Sequence, residues 1–148
     1  MAIEEEIKTL QQIPIFRDLE TSKLKLIAFS GQRISYLKDE MIFDQGSPPD
    51  AVYVVLEGEV DVVRVTDASK VLLARLGRKE VIGEMGVLCD KPRVAMIVAH
   101  TNVQALRIDK VTFLHIVHQV PQLALAIIRE LSNRLEIANE KVAAAGTH

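Results

Sequence analysis

The stretch Val81-Ile-Gly-Glu-Met-Gly-Val-Leu-Cys-Asp-Lys-Pro-Arg-Val-Ala-Met-Ile-Val-Ala99 decides how this chain is read. Apolar runs of strand length stand at both ends. Between them come Gly83-Glu84, a short turn of small and apolar residues, and Pro92-Arg93. A strand destined for burial has no use for an acid and an arginine, nor for glycines beside the acid. A glycine followed by an acid and a helical turn leaves backbone N–H groups at a helix N-terminus, where anions bind. Gly83 and Gly86 let the backbone approach a ligand closely. Arg93 offers a forked, permanently charged donor to phosphate oxygens. Glu84 would repel phosphate, but a carboxylate accepts hydrogen bonds from hydroxyls such as those of a ribose. Acid for sugar, arginine and amides for phosphate: the set describes a nucleotide site. The plainer reading is a solvated Gly-Glu turn and an edge arginine, and spacing alone does not separate the two.

On both sides the chain reads as short strands. From Gln32 to Asp109, segments rich in Val, Ile and Leu alternate with turn chemistry at Gln45-Gly-Ser-Pro-Pro-Asp50, Glu57-Gly58, Thr66-Asp-Ala-Ser69 and Gly77. The segments are AVYVVLE, EVDVVRV, KVLLARL, VAMIVA and VQALRI. Many short strands with such turns predict an antiparallel sandwich or barrel rather than βαβ units.

The ends are helical in pattern. Ile3, Ile7 and Leu10 recur at helical spacing until Pro14 breaks the run. A second helix is expected from Thr21 or Ser22, either a good N-cap, with Leu24 and Ile27 on one face. Asp109 or Thr112 is the expected cap of a short helix ending near Pro121. Beyond it, Ala124, Ile128, Leu131, Leu135, Ala138 and Val142 form an apolar stripe, with Glu130, Arg134, Glu136 and Glu140 off it. The last six residues, AAAGTH, read as a frayed tail. The expected fold class is therefore mainly β with flanking α. An antiparallel β-roll or jelly roll over residues 31–109 lies between helices in 1–30 and C-terminal lid helices in 110–143, all in a single domain 1–148.

Composition narrows the function classes. The chain has 148 residues, 49% hydrophobic and 26% charged, which suits one globular domain. A formal net charge of -2 without a basic run gives no footprint for nucleic acid. A single cysteine, Cys89, excludes an intrachain disulfide and a thiol metal knuckle. The acidic opening MAIEEEIK is unlike a signal peptide, and no apolar run approaches the ~20 residues that span a bilayer. The expected setting is reduced and cytoplasmic, without membrane contact.

The segment from about Ile13 to Leu135 resembles the cyclic nucleotide-binding domain family of kinase regulatory subunits, gated channels and bacterial cAMP-responsive regulators. The family's phosphate-binding cassette, Phe-Gly-Glu-Leu-Ala/Gly-Leu, a variable loop and Arg-Ala/Ser/Thr-Ala-Thr, is similar to Ile82-Gly83-Glu84-Met85-Gly86-Val87 and Arg93-Val94-Ala95-Met96. MIFDQGSPPDAVYVVLEGEVDVV (41–63) resembles the family's strand–loop–strand signature, and IPIFRDLETSKLKLIA (13–28) its entry. The resemblance implies that Glu84 receives the ribose 2′-hydroxyl and Arg93 the exocyclic phosphate oxygens. It implies that backbone N–H groups from Gly83 through Met85 to Gly86, and at Val94 or Ala95, complete the cradle beside Ile82. Asp50, matching a family acid, would brace Arg93 from behind, although Pro48-Pro49 stand where the family often has a glycine. Ile82 replaces the usual Phe and Met96 the usual Thr. Val94 replaces a residue whose hydroxyl, in the family, favours guanine. The implied ligand is therefore cAMP rather than cGMP, with no other cofactor.

Other candidates are poor. His115 and His118 share a helix face but have no carboxylate or thiol at ligand spacing, His100 stands alone, and the strands lack the inward histidines of a cupin-type metal site. No nucleophile elbow, Walker lysine or other catalytic constellation appears, so no enzyme is expected. Cys89 lies within the cassette loop, where a small apolar residue fits. No helix-turn-helix follows the last helix, so a DNA-reading half has been removed or the domain stands alone. The implied function is a regulatory module whose C-terminal helices move on binding, with an unknown effector protein or removed domain as partner and a homodimer through the last helix as a further option. The stripe from Ala124 to Val142 is equally compatible with plain core packing. The alternative from another class is a degenerate roll that serves as a protein-interaction scaffold.

Overall fold

The structure is a computed structural model that describes residues 3–146. Helices α1 (Ile3–Gln11) and α2 (Thr21–Ser30) lead into eight strands: β1 (Gln32–Tyr36), β2 (Met41–Phe43), β3 (Ala51–Glu57), β4 (Val60–Val65), β5 (Lys70–Leu76), β6 (Val81–Ile82), β7 (Met96–Ala99) and β8 (Val103–Asp109). The short α3 (Glu84–Cys89) lies between β6 and β7, and α4 (Lys110–Gln119) and α5 (Pro121–Gly146) close the chain. The strands form two antiparallel four-stranded sheets, in the orders β1-β8-β3-β6 and β2-β7-β4-β5. The expected mainly-β roll with flanking helices is the fold observed.

β3 explains why its sequence is an unbroken apolar run. Successive side chains of a strand point to opposite faces. Val52, Val54 and Leu56 face the helices, where Leu10, Phe16, Leu24, Leu106, Ile108, Phe113 and Leu123 pack with them. Ala51, Tyr53 and Val55 face the interior between the sheets, against Val60, Ile82, Ile97 and Ala105. With both faces covered, alternation gives way to continuous hydrophobicity. β5 has a similar composition but is an edge strand of the second sheet, and Val71, Leu72 and Leu73 are each about half exposed.

Three sequence expectations are corrected. The N-cap of α2 is Glu20, not Thr21 or Ser22, and its carbonyl accepts from the N–H groups of Lys23 and Leu24. The packed face of α5 is Leu123, Ile127 and the partly buried Leu131, and of these three only Leu131 belongs to the stripe read from Ala124. Ile128 is 59% exposed because it lies off that face, and Leu135 and Val142, at 63% and 72%, lie beyond the last packed apolar residue of the helix. The tail read as frayed continues α5 through Gly146, while Thr147 and His148 lie outside the described residues. Of the two caps offered for α4, Asp109 is used: its carboxylate accepts from Thr112 N–H at 2.9 Å.

Candidate functional site

The strand β6 stops after two residues because Gly83 takes φ +86°, a left-handed conformation that only glycine adopts without strain. That turn starts α3, whose first residue is Glu84. A side chain at position 83 would also collide with the guanidinium of Arg93, since an added Cβ would lie 2.4 Å from Nη1. Gly83 thus meets two requirements, one of backbone and one of space.

Arg93 is only 5% exposed, and its position is over-determined. Its main chain is tied to the loop before β3: Arg93 N–H donates to Ser47 O at 2.9 Å, and Gly46 N–H donates to Arg93 O at 2.7 Å. Nη1 donates to Gly83 O at 2.9 Å and Nη2 to Ala51 O at 2.5 Å. The guanidinium lies over the Phe43 ring, 4.1 Å from its centroid, in cation–π contact. Asp50, a largely exposed residue, faces Nη2 at 3.5 Å. Nε is buried with no hydrogen-bond partner among the described residues. Burial pushes the guanidinium below its usual range, with Asp50 opposing the shift. The site therefore holds a desolvated cation with incomplete local compensation, an arrangement that favours an anionic guest.

Glu84 is likewise buried, at 7% exposure. Its Oε1 accepts from Nη1 of Arg134 on α5 at 3.0 Å, and Arg134 in turn faces Glu130 at 3.6 Å. Both Arg93 and Glu84 line one cavity of about 580 Å³, within the range of small-molecule sites. Val62, Leu76 and Ile97 add apolar wall, while Glu130 and Arg134 border it from α5.

The sequence-predicted residues Ile82, Gly83, Glu84, Met85, Gly86, Arg93, Val94 and Ala95 all line this cavity. Ile82 also belongs to the inter-sheet core, and Val94 is 72% exposed at the cavity border. Asp50 stands behind Arg93 despite Pro48-Pro49, because Asp50 N–H donates to Pro48 O and Asp50 O accepts from Lys110 N–H. Sequence reasoning missed Phe43 as the platform under Arg93, although it lies inside a segment already singled out. It also missed Arg134, whose place on the polar side of an amphipathic helix carried no local signal. His115 and His118 are exposed on α4, and no group of three metal-ligating side chains forms among the described residues. Nor is any single described helix long and apolar enough to cross a membrane.

Residues 33–120 match the family model of the cyclic nucleotide-binding domain. The CRP-like cAMP-activated global transcriptional regulator of Mycobacterium tuberculosis is 24% identical over 135 residues, 90% of this chain and 60% of that protein. The cAMP-dependent protein kinase regulatory subunit of Aspergillus fumigatus is 31% identical over 101 residues, 68% of this chain and 24% of that protein. This chain thus spans less than two-thirds of the length of either. Among solved structures, the Thermus thermophilus catabolite activator protein superposes with a TM-score of 0.81 at 28% identity, covering 90% of this chain and 63% of that one. With a glycine turn, a buried acid and a buried arginine around one cavity, and more than half its length matched, the chain belongs to the cyclic nucleotide-binding domain family.

Proposed function

We propose that the cavity takes a 3′,5′-cyclic nucleotide, cAMP in preference to cGMP, and that α4 and α5 carry the binding event outward. The observation that carries this reading is a buried, incompletely compensated arginine and a buried carboxylate lining one cavity at a glycine turn. The phosphate sits on Arg93 and the first amides of α3, and the ribose 2′-hydroxyl donates to Glu84. Val94 has no hydroxyl to offer a guanine, which leaves adenine without a competitor at that contact.

The Glu84–Arg134 ion pair gives the ligand its lever on the last helix. A ribose hydroxyl at Glu84 changes the partners available to Arg134, so occupancy alters how firmly α5 is held to the cassette. A ligand shifts such an equilibrium only by its differential affinity for the two states, with typical coupling of about 1–3 kcal/mol. The chain itself has a regulatory role and no chemistry to perform, in keeping with relatives that are regulators.

Calorimetric titration with cAMP, cGMP and 5′-AMP tests the reading on protein freed of any co-purified ligand. The expected order is cAMP first, cGMP next and 5′-AMP far behind. Arg93→Leu should weaken cAMP binding by about 2–5 kcal/mol, since the phosphate charge loses its buried partner. No heat with any of the three would remove the nucleotide reading and leave the roll as an interaction scaffold.

A further inference from the structure

We infer that Arg107 on β8 is a positioning residue for the phosphate-binding arginine, acting through Asp50. This inference rests on the cyclic nucleotide reading of the cavity and deepens it.

The geometry is a closed circuit of five side chains. Asp50 presents one carboxylate oxygen to Nη2 of Arg93 at 3.5 Å and the other to Nη2 of Arg107 at 3.4 Å. Antiparallel pairing of β3 with β8 sets Tyr53 opposite Arg107. Tyr53 is 4% exposed, and its nearness across the strand pair, together with Asp50, holds the Arg107 guanidinium above its ordinary range. The Tyr53 ring in turn lies 5.9 Å from Phe43, tilted by 42°, and Phe43 supports the face of Arg93. Arg93 is therefore braced on its face through Phe43 and at its edge through Asp50, and both braces lead back to Tyr53 and Arg107.

Arg107 matters because Asp50 is 59% exposed on its side chain and tied down weakly. Were Arg93 its only cationic neighbour, the carboxylate would be free to close on that guanidinium. It would then neutralise the cation that an incoming phosphate needs. Two arginines competing for one carboxylate keep each oxygen at arm's length, so Asp50 orients Arg93 without saturating it. Arg107 lines no part of the cavity, so its influence on the ligand passes through Asp50.

The test is a double-mutant cycle on the full chain, with cAMP as probe and calorimetry as readout. Arg107→Gln should weaken binding by about 5–30-fold, a coupling typical of residues in one ionic network. In an Asp50→Asn background, the same substitution should change affinity by less than about twofold, because the neutral amide no longer competes for Arg93. Arg107→Lys, which keeps the charge, should recover most of the wild-type affinity. Thermal melts of the apo proteins check that each variant is folded. Equal loss from Arg107→Gln in both backgrounds would mean simple long-range attraction and overturn the inference, as would an unchanged affinity. A wild-type chain that binds no cyclic nucleotide would instead overturn the underlying reading together with this one.

Discussion

A carboxylate and a guanidinium buried within one small cavity would ordinarily pair with each other, yet here each has a different partner. Arg93 is directed to the carbonyls of Gly83 and Ala51 and toward Asp50, whereas Glu84 is met by Arg134. This separation leaves two sites of opposite preference, one for an anion and one for a hydroxyl donor. Under the proposed function the ribose falls to Glu84, and that proposal is testable at a single atom. Glu84→Ala should weaken cAMP binding by about 1.5–3 kcal/mol, the range for hydrogen bonds to charged groups. More tellingly, 2′-deoxy-cAMP should bind the wild type less well than cAMP by a similar margin and bind Glu84→Ala almost as well as cAMP does. Competition titrations would measure both gaps, and a gap of undiminished width in the variant would move the ribose contact elsewhere. At this scale the sequence was informative where residue type dictated use: glycine at a left-handed turn, arginine and acid beside it. It was silent about Phe43 and Arg107, because an aromatic face under a cation and a carboxylate shared between strands are products of strand pairing.

The elements differ in how much of themselves they declare. β3 and β5 were both legible as strands with the bounds observed, yet nothing local distinguished AVYVVLE, buried on both faces, from KVLLARL, an exposed edge. Burial is decided by the neighbours a strand acquires, β8 and β6 for the first and only β4 for the second. α5 misled for a related reason. A helix with small and apolar residues on several faces offers more than one stripe, and packing in one core with Phe113 and Ile116 of α4 selects the face of Leu123 and Ile127. α4, by contrast, declares its start. Asp109 caps it, and the hydrogen bond from the Thr112 N–H holds the Asp109 carboxyl below its ordinary range. A carboxylate depressed in the folded state stabilises the fold above its unfolded pKa, and that contribution is lost as pH falls through the folded value. Asp109→Ala should therefore destabilise the domain by about 0.5–2 kcal/mol at neutral pH. Asp109→Asn, which keeps an acceptor, should cost less and should flatten the acid limb of stability. Urea denaturation from pH 7 down through the carboxylate range measures both effects, and parallel acid limbs for the wild type and Asn variant would refute the cap's share.

For the molecule as a whole, the roll carries the cassette, and α5 is the helix whose last turns stand away from the core. The roll is two sheets packed over an interior that includes Ile82, so the cassette turn is anchored in the core at one end while Arg93 is tied by its main chain at the other. α5 has the opposite character: it packs through its first three turns, touches the cassette through Arg134, and then presents Leu135 and Val142 to solvent. A ligand that binds the folded domain and not the unfolded chain stabilises it by RT ln(1 + [L]/Kd), or about 2.7 kcal/mol at a hundredfold excess over Kd. For a chain of this size, that corresponds to a rise in Tm of about 5–11 °C. cAMP at a hundred times its measured Kd should produce that shift in the wild type. Matched occupancy should give Arg134→Gln the same shift, because mass action depends on occupancy and not on the lever. What should differ is the helix: backbone amides of residues 122–134 should change their hydrogen-exchange protection on binding in the wild type, and change much less in Arg134→Gln. Equal changes in both proteins would show that α5 senses the ligand by another route, and no change in either would confine the response to the roll.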